Sequence, residues 1–153
     1  MGMNTTLVGL IIVIIILIPV LYMIMAVSGK NKKKKKEFEL LAQNKGIHIK
    51  NSELITSLLI GLDSGSKKLV FSNKDNLNRE FQIIDLKEVT TCSARSSGLD
   101  SSLNWVGLEI KTGKNTLKIP FYRDEDESAH GSEPLAVLQQ AKEWEKRISA
   151  LLV

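Results

Sequence analysis

Asp124, Glu125, Asp126, Glu127 and His130 are the residues whose types come closest to a metal site. Calcium loops place their oxygen ligands at alternate positions around an obligatory glycine, and zinc requires several His or Cys ligands at defined spacing. Consecutive acids followed by one histidine meet neither condition. The run therefore reads as a solvated loop, and no metal or other cofactor is expected. A nucleophile would have to be Cys92, the sole cysteine, with His48 or His130 as its base. Cys92 lies in a stretch rich in β-branched residues, where a small buried thiol is commonplace, and His48 occupies the polar side of a short strand. Gly61, Gly65 and Gly98 are isolated and make no phosphate-binding loop. The expectation is a protein that is not an enzyme.

The chemistry that is concentrated is charge. All 21 basic residues lie at or after Lys30 and six of them fall between Lys30 and Lys36, so 15 remain against 17 acids from Glu37 onward. The net +4 thus belongs to Lys30, Lys32, Lys33, Lys34, Lys35 and Lys36. A nucleic-acid-binding face would spread its basic residues over the folded part of the chain, which is slightly acidic, so nucleic acid is not expected as a partner. The lysines instead follow an apolar run, Leu7 to Val27, that contains no charged residue. At about 1.5 Å per residue its 21 residues cover roughly 32 Å, the thickness of a hydrocarbon core. Positive residues are retained on the cytoplasmic side, which predicts an N-terminus outside, a C-terminal domain in the cytoplasm, and residence in the cell's inner (plasma) membrane.

A cleaved signal peptide would need an early positive charge, a shorter apolar core and a small-residue cleavage site, none of which is present. Pro19 and Gly9 are tolerated in a membrane helix. Gly9 has Thr5 and Val13 four residues away, a weak basis for a small-residue dimer seam. The lysines predict contact with anionic lipid, with a role in topology alone as the other reading.

Three segments follow: a transmembrane helix over 7–27, a basic juxtamembrane stalk over 28–46, and one domain over 47–153. Phe38, Leu41 and Ala42 share a side of a helix over Lys32 to Lys45, with Gly46 as its left-handed cap. That helix either continues the span as a stalk or is a solvated tether. Ile47 and Ile49 suggest a brief strand. Leu54, Leu58, Ile60 and Leu62, with Thr56 among them, share the face of one strand that turns at Asp63-Ser64-Gly65-Ser66 into Lys67 to Ser72. Glu80 to Ile84 and Val89 to Ala94 read as further strands, and Arg95 to Ser102 as an exposed loop. Trp105 to Lys111 and Leu117 to Tyr122 form a hairpin about Thr112-Gly113-Lys114-Asn115, with Pro120 marking an edge or a bulge. Ser132 is the expected cap of an amphipathic helix that carries Leu135, Leu138, Ala141, Trp144, Ile148 and Leu151 on one face and reaches to about Leu152.

This order of elements resembles the pleckstrin-homology superfold. The pieces that carry it are the two hairpins, the run FQIIDLKEVTTCSA from Phe81 to Ala94, and the closing PLAVLQQAKEWEKRISALL from Pro134 to Leu152. The resemblance implies an α+β domain: a PH-like, partly open antiparallel barrel of six or seven strands closed by a C-terminal amphipathic helix. It extends to bacterial single-pass membrane proteins of unassigned role that carry such a domain inside the cell. The superfold's phosphoinositide binding uses basic residues spread over the first hairpin, where this chain offers only Lys67 and Lys68 on opposite faces of a strand, so that activity is not carried over.

The functional expectation is a membrane-anchored, non-catalytic binding or scaffolding module. Its rivals are a structural subunit of a membrane homo-oligomer and a small membrane-bound enzyme. Its partners would be the lipid bilayer and a protein not identified by the sequence. Trp105 and Tyr122, if they stack on the outer face of the second hairpin, would form a partner surface; the bland alternative is sheet packing.

Overall fold

The apolar run and the lysines after it belong to a single unbroken helix, α1 (Thr5–Asn44), in which Pro19 interrupts the sequence but not the helix. The structure is a computed structural model and describes residues 5–99, 102–127 and 131–152. α1 ends where expected. Gly46 takes φ +72°, its N–H donates to the Gln43 carbonyl at 2.9 Å, and the Ile47 N–H donates to the Ala42 carbonyl at 3.0 Å. These are the paired bonds of a Schellman motif, in which a glycine without a Cβ penalty lets the chain reverse and satisfy the last carbonyls. Ile47 then folds back into the same apolar cluster as Ala42. The brief strand expected at Ile47 and Ile49 is absent, because Ile47 serves this cap instead of a ladder.

Among the described residues seven strands follow in two antiparallel sheets. The first holds β1 (Ser52–Ile55), β2 (Leu58–Asp63), β3 (Lys68–Asn73) and β4 (Gln82–Asp85) in that order; the second holds β5 (Val89–Leu99), β6 (Ser102–Thr112) and β7 (Asn115–Arg123). A C-terminal helix, α2 (Pro134–Ser149), closes the chain order. Among the described residues no strand of one sheet pairs with a strand of the other, so the partly open barrel expected from the sequence is two sheets not closed into a barrel.

Three expectations about local structure are corrected. The run from Leu54 to Leu62 is two strands: Ile55 pairs with Leu58 across a Thr56-Ser57 turn, with Thr56 at φ 54°. The Thr56 hydroxyl donates to the Phe121 carbonyl, which anchors this turn to β7. Of the loop expected over Arg95 to Ser102, Arg95 to Leu99 is strand, with Arg95, Ser96 and Ser97 paired to Gly107, Val106 and Trp105, while Asp100 and Ser101 lie outside the described residues. The side chains of Arg95, Ser96 and Ser97 are exposed and the backbone ladder alone holds them in the sheet. Ser132 does not cap α2; the N-cap is Glu133, without a side-chain cap bond, and Pro134 supplies the pre-set φ of the first turn. α2 ends at Ser149, yet Leu151 and Leu152 still pack against the core in the turn that follows.

Pro120 marks a bulge on an edge strand. The β6–β7 register shifts between Val106 and Gly107, so that Gly107 faces Pro120 while Val106 faces Tyr122 and Phe121 is the extra residue. A Cβ on Gly107 would collide with the Ile119 carbonyl oxygen, which is why a residue without one occupies this point of β6.

Alternation sorts the first sheet between two cores. Ile60, Leu69 and Phe71 point between the sheets, joining Val106, Leu108, Ile110, Ile119 and Phe121 and the α2 residues Val137, Ala141, Trp144 and Ile148. Leu59 and Val70 point the other way and join Phe38 and Ala42 of α1, with Ile47 and Leu77. Leu54, expected beside Leu58 and Ile60, belongs to this second core because the Thr56 turn intervenes.

Candidate functional site

α1 has two surfaces of opposite character. From Leu10, 63% exposed, to Met25, 73% exposed, its large apolar side chains all face outward and none packs on the sheets. Apolar residues on every side of a helix, with no polar face, need an apolar environment around the whole cylinder. One segment of the described chain is long and apolar enough to cross a membrane, and it lies in this helix. Within two turns after Lys36 the same helix is buried instead: Phe38 and Ala42 are both 0% exposed. Phe38 meets Phe81 at 5.5 Å between ring centroids, and the Ser52 hydroxyl donates to the Glu39 carboxylate at 2.7 Å. The helix over Lys32 to Lys45 continues from the apolar run without a break and is docked through Phe38 and Ala42 on the outer face of the first sheet.

The lysines occupy the junction. At about 100° per residue, Lys32 to Lys36 encircle the helix and mark no single face. Their surroundings differ with direction. Lys32 and Lys35 sit beside Met23, Ile24, Ser28 and Asn31, all of α1 itself. Lys30, Lys33 and Lys34 face the domain, where they line a groove of about 380 Å³ with Asn31, Glu37 and two residues of the β3–β4 loop, Lys74 and Asp75. Lys34 Nζ lies 3.8 Å from Glu37 Oε2, an exposed pair one helical turn apart. Nothing in the sequence announces that Lys74 and Asp75, forty residues downstream, return to the lysines.

The loop is held in place. Its Lys74 N–H donates to the Ser57 carbonyl at 2.8 Å, and its Asp75 N–H donates to Asn73 Oδ1 at 2.9 Å. Leu77 is buried in the α1 core, and the Ser72 hydroxyl donates to the Leu77 carbonyl at 3.1 Å.

The other candidate residues are dispersed. Tyr122, 9% exposed, lies in the core between the sheets, opposite Val106, with its hydroxyl 3.3 Å from Asp124 Oδ1. Burial, and then the Asp124 carboxylate, push its phenol above the usual range. Trp105 pairs with Arg123 on the other face of β6, under Lys118 Nζ at 5.8 Å from the ring centroid. The two aromatics therefore do not stack, because the Pro120 bulge turns Tyr122 inward. Trp105 instead lines an open groove of about 420 Å³ with Arg95, Ser96, Ser97, Glu109 and Lys118.

Cys92 is buried beneath α2. Desolvation, and then the Glu145 carboxylate, push its thiol up to about 12. Glu145 itself accepts the Ala94 N–H at 3.0 Å. His48 is exposed, and its backbone N–H, not its ring, is bonded to Asp63 at 2.8 Å. His130 lies outside the described residues. Among the described residues no three His, Cys, Asp or Glu side chains are grouped to hold a metal, and Asp124 to Glu127 form a surface turn.

Compared with protein-family models, with curated proteins and with solved structures, the chain has no match.

Proposed function

We propose that this protein is a membrane-anchored, non-catalytic binding or scaffolding module that holds its two-sheet domain at a set height and orientation on the cytoplasmic face of a bacterial plasma membrane. The observation that carries the reading is the change of environment along one helix, exposed and apolar from Leu10 to Met25 and buried in the domain at Phe38 and Ala42. A helix without a break transmits position. From Val27 to Phe38 is about 16 Å of rise, so a span ending near Val27 fixes the domain directly against the head-group layer. The six lysines after the apolar run favour an N-terminus outside. Tethering raises the effective concentration of a binding surface for partners on the same membrane, which requires no catalytic group.

The domain is proposed to be a relative of the pleckstrin-homology superfold, on the order of four strands, three strands and a closing helix. Its β1–β2 connection is the two-residue Thr56-Ser57 turn, which leaves no basic loop at that end. Phosphoinositide recognition by a first-hairpin loop is accordingly not part of the proposal. Cysteine labelling in intact cells at Met3→Cys and Ser97→Cys tests the topology: Met3→Cys should react from outside and Ser97→Cys only after permeabilisation. In-cell crosslinking of the full chain tests the role. A heterologous membrane partner supports the module; recovery of the chain alone favours a homo-oligomeric subunit, and small-molecule turnover by the purified protein would sink the non-catalytic reading.

A further inference from the structure

We propose that the groove between α1 and the β3–β4 loop is a site for an anionic phospholipid head group, gripped by Lys30, Lys33, Lys34 and Lys74. The proposal rests on the membrane reading above and adds to it a defined site in place of a diffuse collar. Residues three and four apart share a helix face, which aligns Lys30, Lys33 and Lys34 toward the domain. Docking of Phe38 and Ala42 sets that face opposite Lys74, so cations from two elements converge on one groove of about 380 Å³. Two acids line it as well, Glu37 and Asp75, and Glu37 is already engaged by Lys34. The remaining ammonium groups give a surplus of positive charge whose complement is a phosphate, which lysine binds as a point charge.

Depth selects the source of that phosphate. Lys30 and Lys34 lie about 4.5 and 10 Å of helical rise beyond Val27, the level of the head groups when the apolar run fills the hydrocarbon core. The loop that carries Lys74 is ordered before any ligand arrives, through Ser57, Asn73 and buried Leu77. Lys32 and Lys35, with only α1 residues around them, lack such an opposing wall. The site therefore gives the β3–β4 loop a second point of attachment to the membrane, which reinforces the orientation that the docked helix sets.

The test uses the full chain in nanodiscs of phosphatidylcholine alone and of phosphatidylcholine mixed with phosphatidylglycerol, with hydrogen exchange read over 72–80. Phosphatidylglycerol should slow exchange at 74–76 by about fivefold, the factor expected of one lysine beside an anionic surface. Lys74→Gln should remove that protection and Lys74→Arg retain it. Lys87→Gln, in the exposed turn at the opposite end of β3 and β4, should leave it unchanged. Equal exchange in the two lipids, with 10–25 protected in both, overturns the site alone. Exposure of 10–25 in both overturns the membrane reading and the site with it. Protection of 74–76 by glycerol phosphate in solution, with none from phosphatidylglycerol, overturns the lipid source.

Discussion

Asp63 Oδ2 accepts the backbone N–H of His48 at 2.8 Å, joining the tip of the β2–β3 hairpin to the segment that leaves α1. The other carboxylate oxygen accepts the Gly65 and Ser66 N–H groups at 2.9 and 3.1 Å, which builds the turn. One buried side chain thus shapes the hairpin and ties it to the helix exit. Burial opposes its charge, but the backbone donors of His48, Ser66 and Gly65 outweigh that and hold the carboxyl at about 2.

The sign of the pH dependence follows. An unfolded Asp63 binds its proton near the ordinary 3.8, whereas the folded one resists until about 2, so its stabilisation is complete above the first value and is lost as pH falls through the second. Asp63→Asn should lower stability at neutral pH by about 1.5–3 kcal/mol, the usual worth of hydrogen bonds to a charged group. It should also flatten the acid limb of the profile. Denaturant unfolding of the full chain in detergent, followed by Trp144 emission across that range, measures both.

Phe38→Ala should separate anchoring from orientation. Removing a fully buried phenylalanine costs about 3–5 kcal/mol, and this one belongs to the smaller core that joins α1 to the first sheet. The larger core between the sheets does not contain it. The expected outcome is a folded domain on a loosened helix: spin labels at Lys36 and Lys114 should show a broadened distance distribution, while thermal unfolding of the two-sheet core stays cooperative. A distribution as narrow as that of the unsubstituted chain would refute the docking.

The legible parts of the sequence were those whose signal is local. The β6–β7 hairpin and the apolar face of α2 each bury one side of a periodic pattern, while the run from Leu7 reads as one helix by its unbroken apolar length and the Gly46 cap by its residue type. The rest turned on tertiary partners. Thr56 is β-branched and has no local preference for a left-handed turn, yet the Phe121 carbonyl on β7 receives its hydroxyl. Arg95 to Ser97 show no alternation of polarity because their faces are exposed and only β6 holds them. Tyr122 followed the expected outward alternation until the Pro120 bulge shifted the phase. Lys74 joined the lysines through the docking of Phe38, a contact that no spacing of charges encodes.

Gly107→Ala should be strongly destabilising although it adds one methyl. The new Cβ would meet the Ile119 carbonyl oxygen, which belongs to backbone and cannot rotate away. Relief requires moving β7 at its bulge, and such overpacking costs about 1–3 kcal/mol or more. A thermal midpoint unchanged from the unsubstituted protein would contradict the close approach of these strands.

Cys92 should resist alkylation at neutral pH in the folded chain and react fully once unfolded, since the thiolate is the nucleophile. The pH dependence has the opposite sense to that of Asp63. Unfolded Cys92 ionises near its ordinary 9.0 and the folded thiol only at about 12, so stability falls as pH rises through the interval between them. Cys92→Ala should remove that alkaline decline at the cost of a small cavity. Iodoacetamide mass shifts with and without denaturant, together with unfolding above pH 9, check both expectations.

Glu53 joins the two ends of the domain, and its removal should be felt at α2. Its Oε2 accepts the indole N–H of Trp144 at 2.9 Å, and its Oε1 accepts Arg147 Nη1 at 2.6 Å. Arg147 also lies over the Trp144 ring, 5.2 Å from the centroid. The two bonds differ in environment: the Trp144 side chain is buried, while Arg147 and Glu53 are partly exposed, so the ion pair is screened and contributes about 0–1 kcal/mol. The indole N–H has no such recourse to water. Glu53→Ala leaves it unpaired and should cost about 1–3 kcal/mol with a changed Trp144 emission, whereas Arg147→Ala should cost less and leave the emission maximum in place. A double-mutant cycle with Trp144→Phe separates the contributions: if the Glu53→Ala penalty persists undiminished in Trp144→Phe, the indole bond is not what Glu53 supplies.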